Sequence, residues 1–376
     1  MARGPILILG GGISGLTLGI ALGRSGIDVE IAEIKQDLRQ QAGVGLSLQG
    51  NCIAALARIG VANACLEKGM PNSYINMRRP DGALLASQTL IPMGGPEFPG
   101  TAGISRNDLH AILLAAAGEA GVKMRMGLSF KSFNADQSGV DVEFTDGSRN
   151  EYDLMVGADG VYSRTRTTLF PQIHPEPCGQ AVWRAGVPRP VDIVTTELHL
   201  GGPFGVVGIC PVSREAAYLY IVEAASPEIR YNDNELAAVL IDKLEPYTSS
   251  LVRACVQHLT RSDAISYRHL EWLLVPPPWY RDRVLLIGDA AHCNPPVLAQ
   301  GAAMGIEDAI VLAELLAQVE SVDAALEQFM VRRNPRASLV VRNSVQLCEW
   351  EVKHQVGPQE IGRLMMETQV ALSAPF

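Results

Sequence analysis

The stretch that decides the fold is Pro5-Ile-Leu-Ile-Leu-Gly10-Gly-Gly12-Ile-Ser-Gly15-Leu-Thr-Leu-Gly-Ile20-Ala-Leu-Gly-Arg-Ser25-Gly-Ile27-Asp-Val-Glu-Ile-Ala32-Glu33. Ile6 to Leu9 is a short uncharged apolar run, which suits a strand buried on both faces of a parallel sheet. Gly10, Gly12 and Gly15 follow at G-x-G-x-x-G spacing, with Ile13 and Ser14 inside the motif. Leu16, Ile20 and Leu22 continue as a helix with one apolar face. Ile27 to Ala32 reads as a second strand, closed by Glu33. Each residue has a physical task in a dinucleotide site. Gly10 permits the tight turn, Gly12 lets the main chain approach a pyrophosphate, and Gly15 lets helix and strand pack closely. The free N–H groups at the helix start face the phosphates, and Glu33 accepts hydrogen bonds from a ribose. A signal peptide or membrane helix is the competing reading of the uncharged run from Pro5 to Gly23. The glycines, the absence of a cleavage site and the terminal Glu33 weigh against it.

Working outward, the 376 residues suffice for about two domains with a large core. Hydrophobic residues make up 47% and charged residues 19%, which suits a folded α/β enzyme and excludes disorder. The net charge of -9 argues against nucleic acid or an anionic membrane as partner. The seven cysteines are scattered, and no C-x-x-C occurs, so neither a zinc knuckle nor a dithiol centre is expected and no metal is assigned. A reducing cytoplasm fits this cysteine usage.

After Glu33 and Lys35, the segment Arg39 to Leu48 reads as a Gly-punctuated loop entering an extended stretch. Asn51 is the expected N-cap of a helix over Cys52 to Ile59. Residues 73–100 are rich in Pro and Gly and look like an excursion from the first domain. Ser105–Arg106–Asn107–Asp108 opens a helix over Leu109 to Ala120. Val122 to Leu128 and Gly139 to Phe144 are expected strands. A second loaded stretch, Asp153 to Arg166, carries an apolar strand into Gly157-Ala-Asp159-Gly160. Residues 178–275 then change character, with short strand-like runs at Ala181–Val187, Thr195–Leu200, Phe204–Cys210 and Ala217–Val222, spaced for an antiparallel sheet. Tyr218 and Tyr220 share a face by period two, and Arg184 lies on the face opposite Trp183. The third loaded stretch runs from Arg283 through Gly288–Asp289, His292 and Pro296 to Gly301-Ala302-Ala303. A helix is expected from Gly301 to Leu316, and a second after Val322, interrupted near Pro335.

Three motifs in this order resemble one family, the FAD-dependent single-component aromatic hydroxylases typified by p-hydroxybenzoate hydroxylase and salicylate hydroxylase. The resemblance covers nearly the whole chain. It implies an α/β fold, a Rossmann-type FAD/NAD(P)-binding domain with an inserted, mostly antiparallel β-sheet substrate domain. The FAD-binding segments are 1–72, 101–177 and 276–376, with 73–100 and 178–275 forming the substrate domain. It implies FAD as resident cofactor and NADH or NADPH as transient reductant. Ser14 and the helix amides are expected to meet the pyrophosphate, and Glu33 and Lys35 the adenosine ribose. Arg39 and Arg106 are similar to arginines near the phosphates or ribityl chain. Leu128 borders the adenine, Asp159 and Gly160 belong to the second motif, and Gly288–Asp289 takes the ribityl hydroxyls. The amides at Gly301, Ala302 and Ala303 face the flavin pyrimidine, and Pro296 faces the substrate. Many members carry Asn where this chain has Ala303, so only main-chain contact transfers there.

The implied reaction is hydroxylation of an electron-rich hydroxy- or amino-substituted benzoate, pyridine or related ring with O2, through a flavin C4a-hydroperoxide. Arg184 is the candidate anchor of a substrate carboxylate and Tyr220 a candidate pocket hydroxyl; for His292 a structural role is the better reading. A same-fold epoxidase or reductase and a non-catalytic flavin redox module are the alternatives. The oligomeric state stays open, a homodimer being one option.

Overall fold

The computed structural model describes residues 4–38, 44–260 and 265–376; Arg39 and the rest of the loop through Gly43 lie outside the described residues. The strand Ile6–Leu9 is fully buried and sits centrally in a six-stranded sheet. Its neighbours are Val29–Glu33 and Leu154–Gly157, both parallel, flanked by Lys123–Met126 and Val284–Leu286, with Tyr280–Arg281 antiparallel at the edge. The helices Ile13–Arg24 and Arg106–Glu119 and the buried helix Gly301–Gln318 cover this sheet. Uncharged strands with helices packed on them are what a continuous apolar run specifies, since neither face can meet water.

The second large sheet has seven strands in the order Ile265–Trp272, Glu176–Pro188, Ala216–Ala224, Gly205–Pro211, Thr196–Gly202, Tyr74–Arg78 and Leu84–Thr89. Every pairing is antiparallel except Thr196–Gly202 with Tyr74–Arg78. One face carries its own core: Trp183, Ala185, Val187, Leu219 and Ile221 pack under the helices Leu236–Leu244 and Ser250–Val256. The opposite face looks toward a small sheet of Gly45–Gln49, Thr101–Ser105 and Met70–Asn72. A further three-stranded meander spans Phe130 to Tyr152.

Two local expectations are corrected. Asn51 is not an N-cap: the helix starts two residues earlier, over Gly50–Arg58, with extended Gln49 at the cap position. The buried Asn51 amide is instead drawn into long-range bonds to Gln300 and Glu307. Nor does Pro335 interrupt its helix, which runs unbroken from Val322 to Lys353. Proline at 335 removes the donor to the Val331 carbonyl. Val331 is 77% exposed, so water can satisfy that carbonyl, while Arg333 and Arg336 on either side are anchored to the core.

Candidate functional site

The glycine turn is built from close main-chain approaches. Gly10 has φ +108°, and a Cβ there would lie 2.6 Å from the Ala158 carbonyl oxygen, so the first motif is pressed against the second. A Cβ on Gly15 would lie 2.0 Å from the Gly10 carbonyl oxygen. Gly12 is the opposite case: nothing lies within 4 Å of its Cβ position, and its main chain borders open space. The helix that starts at Ile13 has no side-chain cap. Glu33 is buried, and its two oxygens accept from the Gly11 N–H at 2.7 Å and the Lys35 N–H at 2.8 Å. A carboxylate has further lone pairs, so Glu33 is held in place with acceptor capacity to spare. Leu128 is tied alongside, its N–H donating to the Glu33 carbonyl at 2.9 Å. The Lys35 side chain is exposed on the same rim.

His110, which the sequence reading did not single out, is buried under this turn, with Nε2 at 2.8 Å from the Gly11 carbonyl oxygen. Burial is the main force lowering its pKa, helped by the nearby positive charges of Lys35 and Arg106.

The third motif closes on the first. Gly288 has φ +59°, and its Cβ position is 2.6 Å from the Ser14 hydroxyl oxygen; that of Gly305 is 2.1 Å from the same oxygen. Ser14 therefore points between Gly288 and Gly305. Asp289 follows. Its carboxylate reaches solvent through an open cleft yet is walled by protein, and that desolvation raises its pKa against the opposing charges of His292 and Arg106. The Cβ position of Gly301 lies 3.9 Å from Asp289 Oδ1 and 3.4 Å from Asn294 Oδ1. No side chain caps the helix that begins at Gly301. Asn294 Oδ1 is buried without a partner among the described residues. Pro296 is exposed at the head of the short turn Pro296–Leu298 that joins Asp289 to this helix.

Asp159, in the second motif, turns its carboxylate onto its own turn. Its carboxylate accepts from the Ser163 hydroxyl, from the Thr165 N–H and from the Thr165 hydroxyl, bracing the start of the helix Arg164–Leu169, whose N-cap is Ser163. Gly160, next in the chain, turns with φ +78°.

The open face of the seven-stranded sheet completes the cleft. Arg184 pairs in register with Tyr220, and Gly186 with Tyr218. The two tyrosine rings lie 5.4 Å apart. Gly208 faces Tyr220 on the next strand, and a Cβ there would sit 2.0 Å from the Tyr220 ring. Glycine thus lets the ring lie flat across the sheet. Cys210 Sγ is 3.5 Å from Ser47 Oγ on the small sheet, and the Cβ position of Gly45 is 2.8 Å from the Tyr218 ring. Trp183 points to the other side, where its indole N–H donates to Glu223 at 2.8 Å. Among the described residues the Arg184 guanidinium has no carboxylate partner. Burial pushes its pKa down, as does the charge of Arg106, with Tyr218 and Tyr220 opposing. Burial raises both tyrosines, so each keeps its proton and can donate. Arg106, at the start of its helix, feels both Asp289 and Arg184 and links the two halves of the cleft.

The chain matches the FAD binding domain family over residues 3–344. It belongs to that family. Among its relatives, 3-amino-4-hydroxybenzoate 2-monooxygenase PtnB3 of Streptomyces platensis is 32% identical, over 91% of this chain and 87% of that one. The 6-hydroxynicotinate 3-monooxygenase of Bordetella bronchiseptica is 29% identical, over 90% of both chains. In three dimensions the chain resembles Klebsiella pneumoniae HpxO, whose structure holds FAD and uric acid, with a TM-score of 0.84 at 23% identity over 99% of this chain and 97% of that one. This is an FAD-dependent monooxygenase, with FAD as cofactor and NAD(P)H as the family's reductant. The cleft suits that flavin: open main chain at Gly12, two uncapped helix starts, an accessible carboxylate at Asp289 and the orphan acceptor of Asn294. Among the described residues no cluster suits a metal ion, and no helix is long and apolar enough to cross a membrane.

Proposed function

We propose that this FAD binding domain family member hydroxylates a small, electron-rich aromatic acid held between the flavin cleft and the open face of the seven-stranded sheet. The observation that carries the reading is Arg184: a half-buried guanidinium without a carboxylate partner among the described residues, beside two protonated tyrosines. A buried cation is costly unless an anion joins it, and the planar guanidinium fork takes a carboxylate bidentately. The relatives named for aminohydroxybenzoate and hydroxynicotinate support a ring of this kind.

In this reading the amides at Gly12 and Ile13 receive the pyrophosphate, Glu33 the ribose, Leu128 the adenine edge, and Asp289 the ribityl hydroxyls. The helix-start amides of Gly301, Ala302 and Ala303 supply fixed positive dipoles beside the ring system. FAD, reduced by NAD(P)H, supplies the activation of molecular oxygen. Arg184 sets which ring carbon faces the flavin. Tyr218 or Tyr220 donates a hydrogen bond to a ring oxygen or nitrogen, favouring its electron-rich form. The sheet and the strands bearing Ser47 and Gly103 keep water out. Residues 73–100 and 178–275 act as the substrate domain. A cytoplasmic location belongs to the same reading, supported by seven free thiols, and so does a homodimer.

The test is a screen of hydroxy- and amino-substituted benzoates, pyridines and quinolines for stimulated NAD(P)H oxidation, with identification of the product. Stimulation by aromatic acids and a hydroxylated product are expected. Stimulation only by uncharged or non-aromatic compounds would overturn the reading.

A further inference from the structure

Beneath the cleft lies a fully buried ionic network. Arg333, Glu307 and Asp308 each expose none of their surface. Arg333 Nε donates to Asp308 Oδ1 at 2.7 Å and its Nη1 to Glu307 Oε2 at 2.7 Å. Arg336 adds two bonds to Glu307, and Asn51 a third. The second Asp308 oxygen leaves this knot. Oδ2 accepts the Gly288 N–H at 3.0 Å and contacts His292 Nε2 at 2.5 Å. Gly288 and His292 bracket the short helix Asp289–His292, whose first residue carries the cleft carboxylate. Asp308 is held ionised, with a pKa of about 2: burial pushes it up, but His292 and Arg333 outweigh that.

We infer that Asp308 is a positioning residue for the flavin, fixing the Gly288–Asp289 turn and the His292 ring so that the Asp289 carboxylate meets the cofactor in a single orientation. The division of labour between the adjacent acids follows from their partners. Among the described residues Glu307 bonds to Arg333, Arg336 and Asn51, none of which bonds to the Gly288–His292 turn. Of the two acids, Asp308 is the one that bonds to the ligand-bearing turn, where Arg166 Nη1 also donates to the Ala290 carbonyl. Gly288 leaves no room for a side chain to hold the turn from the other side, because Ser14 already fills that space. A carboxylate accepting from a main-chain N–H and a ring at once restrains both ends of a four-residue helix, which is how a supporting shell gives a ligand its geometry.

The test compares Asp308→Asn with Glu307→Gln in the full-length protein. Each removes one charge from the same Arg333 guanidinium, so both should lower the melting temperature of the apoprotein comparably. Only Asp308→Asn should weaken FAD, at least about tenfold by equilibrium titration, and alter the visible absorption envelope of the bound flavin. Equal FAD affinities in the two variants, or an unchanged affinity in Asp308→Asn, would overturn the assignment. Should Asp308→Asn not fold, His292 supplies the second arm. His292→Gln can place an N–H near the Nε2 position and should keep FAD binding close to the parent's. His292→Leu cannot, and should weaken it severalfold. Parent-like FAD affinity and spectrum in His292→Leu would equally overturn the assignment.

Discussion

Gly12 and Gly15 stand three residues apart in one motif, and the structure assigns them opposite sensitivities. A methyl group on Gly15 would start 2.0 Å from the Gly10 carbonyl oxygen and 3.2 Å from its carbon. Ordinary van der Waals contact needs about 3.5 Å, so the helix must retreat by roughly 1.5 Å from the strand that precedes it. Overpacking of this kind costs about 1–3 kcal/mol. Gly15→Ala should therefore lower the stability of the apoprotein and, by withdrawing the helix amides, weaken FAD as well.

Gly12→Ala should behave otherwise. Nothing lies within 4 Å of the new methyl, and φ -77° with ψ -174° is extended backbone that alanine adopts freely. The apoprotein should change by no more than about 0.5 kcal/mol. The methyl does project into the space the phosphates must enter. Losing one hydrogen bond to a charged group costs about 1.5–3 kcal/mol, which is a 10- to 150-fold weaker FAD complex. Urea denaturation of the two apoproteins and FAD titration by flavin fluorescence separate the effects. A Gly12→Ala protein that binds FAD within about threefold of the parent would refute the argument, because the open main chain at Gly12 would then not be where the pyrophosphate lies.

Three further outcomes are expected. Asp289→Ala should weaken FAD by about 1–3 kcal/mol, since ribityl hydroxyls are left unpaired, and isothermal titration would expose an unchanged affinity as a misassignment. Arg184→Ala should raise the apparent KM for an aromatic acid at least about tenfold, near 1.4 kcal/mol, and divert NAD(P)H oxidation into hydrogen peroxide, while FAD affinity stays constant; Arg184→Lys should recover only part, because an ammonium lacks the bidentate fork. His199 is buried against Ser249, with Arg78 nearby, and burial pulls its pKa from 6.5 down to about 4. A histidine depressed on folding lets the unfolded chain take the proton first, so its contribution is present above pH 6.5 and disappears as pH falls to about 4, a loss of about 3 kcal/mol that His199→Gln should abolish from the pH dependence of urea denaturation.

The parts of the site that could be read in the sequence are those where geometry restricts residue type. A turn at φ +108° against another main chain, or a helix that must touch a strand, excludes side chains, so Gly10 and Gly15 announce themselves. The place of Glu33 was legible for a related reason: it ends a strand whose length is set by the apolar run before it. Arg184 could be placed opposite Trp183 because a strand alternates, and the two do face opposite sides of their sheet.

Asn51, Glu307, Asp308 and Arg333 were not legible in the same way, because each is defined by partners brought close only by the fold. Asn51 meets Gln300 across 249 positions, and as a local signal it could be read only as a helix cap. The Gly301–Gln318 helix did carry a usable anomaly: two adjacent acids within a run that contains no basic residue and is buried almost throughout. Buried acids need cations. The candidates were the arginines of the Val322–Lys353 helix, spaced on either side of Pro335. Their anchoring also explains why that proline leaves the helix unbroken. Pairing Glu307 and Asp308 to Arg333 and Arg336 fixes both sides of the weak point, so the requirement that the acids be neutralised overrides the local preference of proline. The same requirement leaves one oxygen of Asp308 free to reach the Gly288–Asp289 turn, which is how a demand of the core becomes a restraint on the cofactor site.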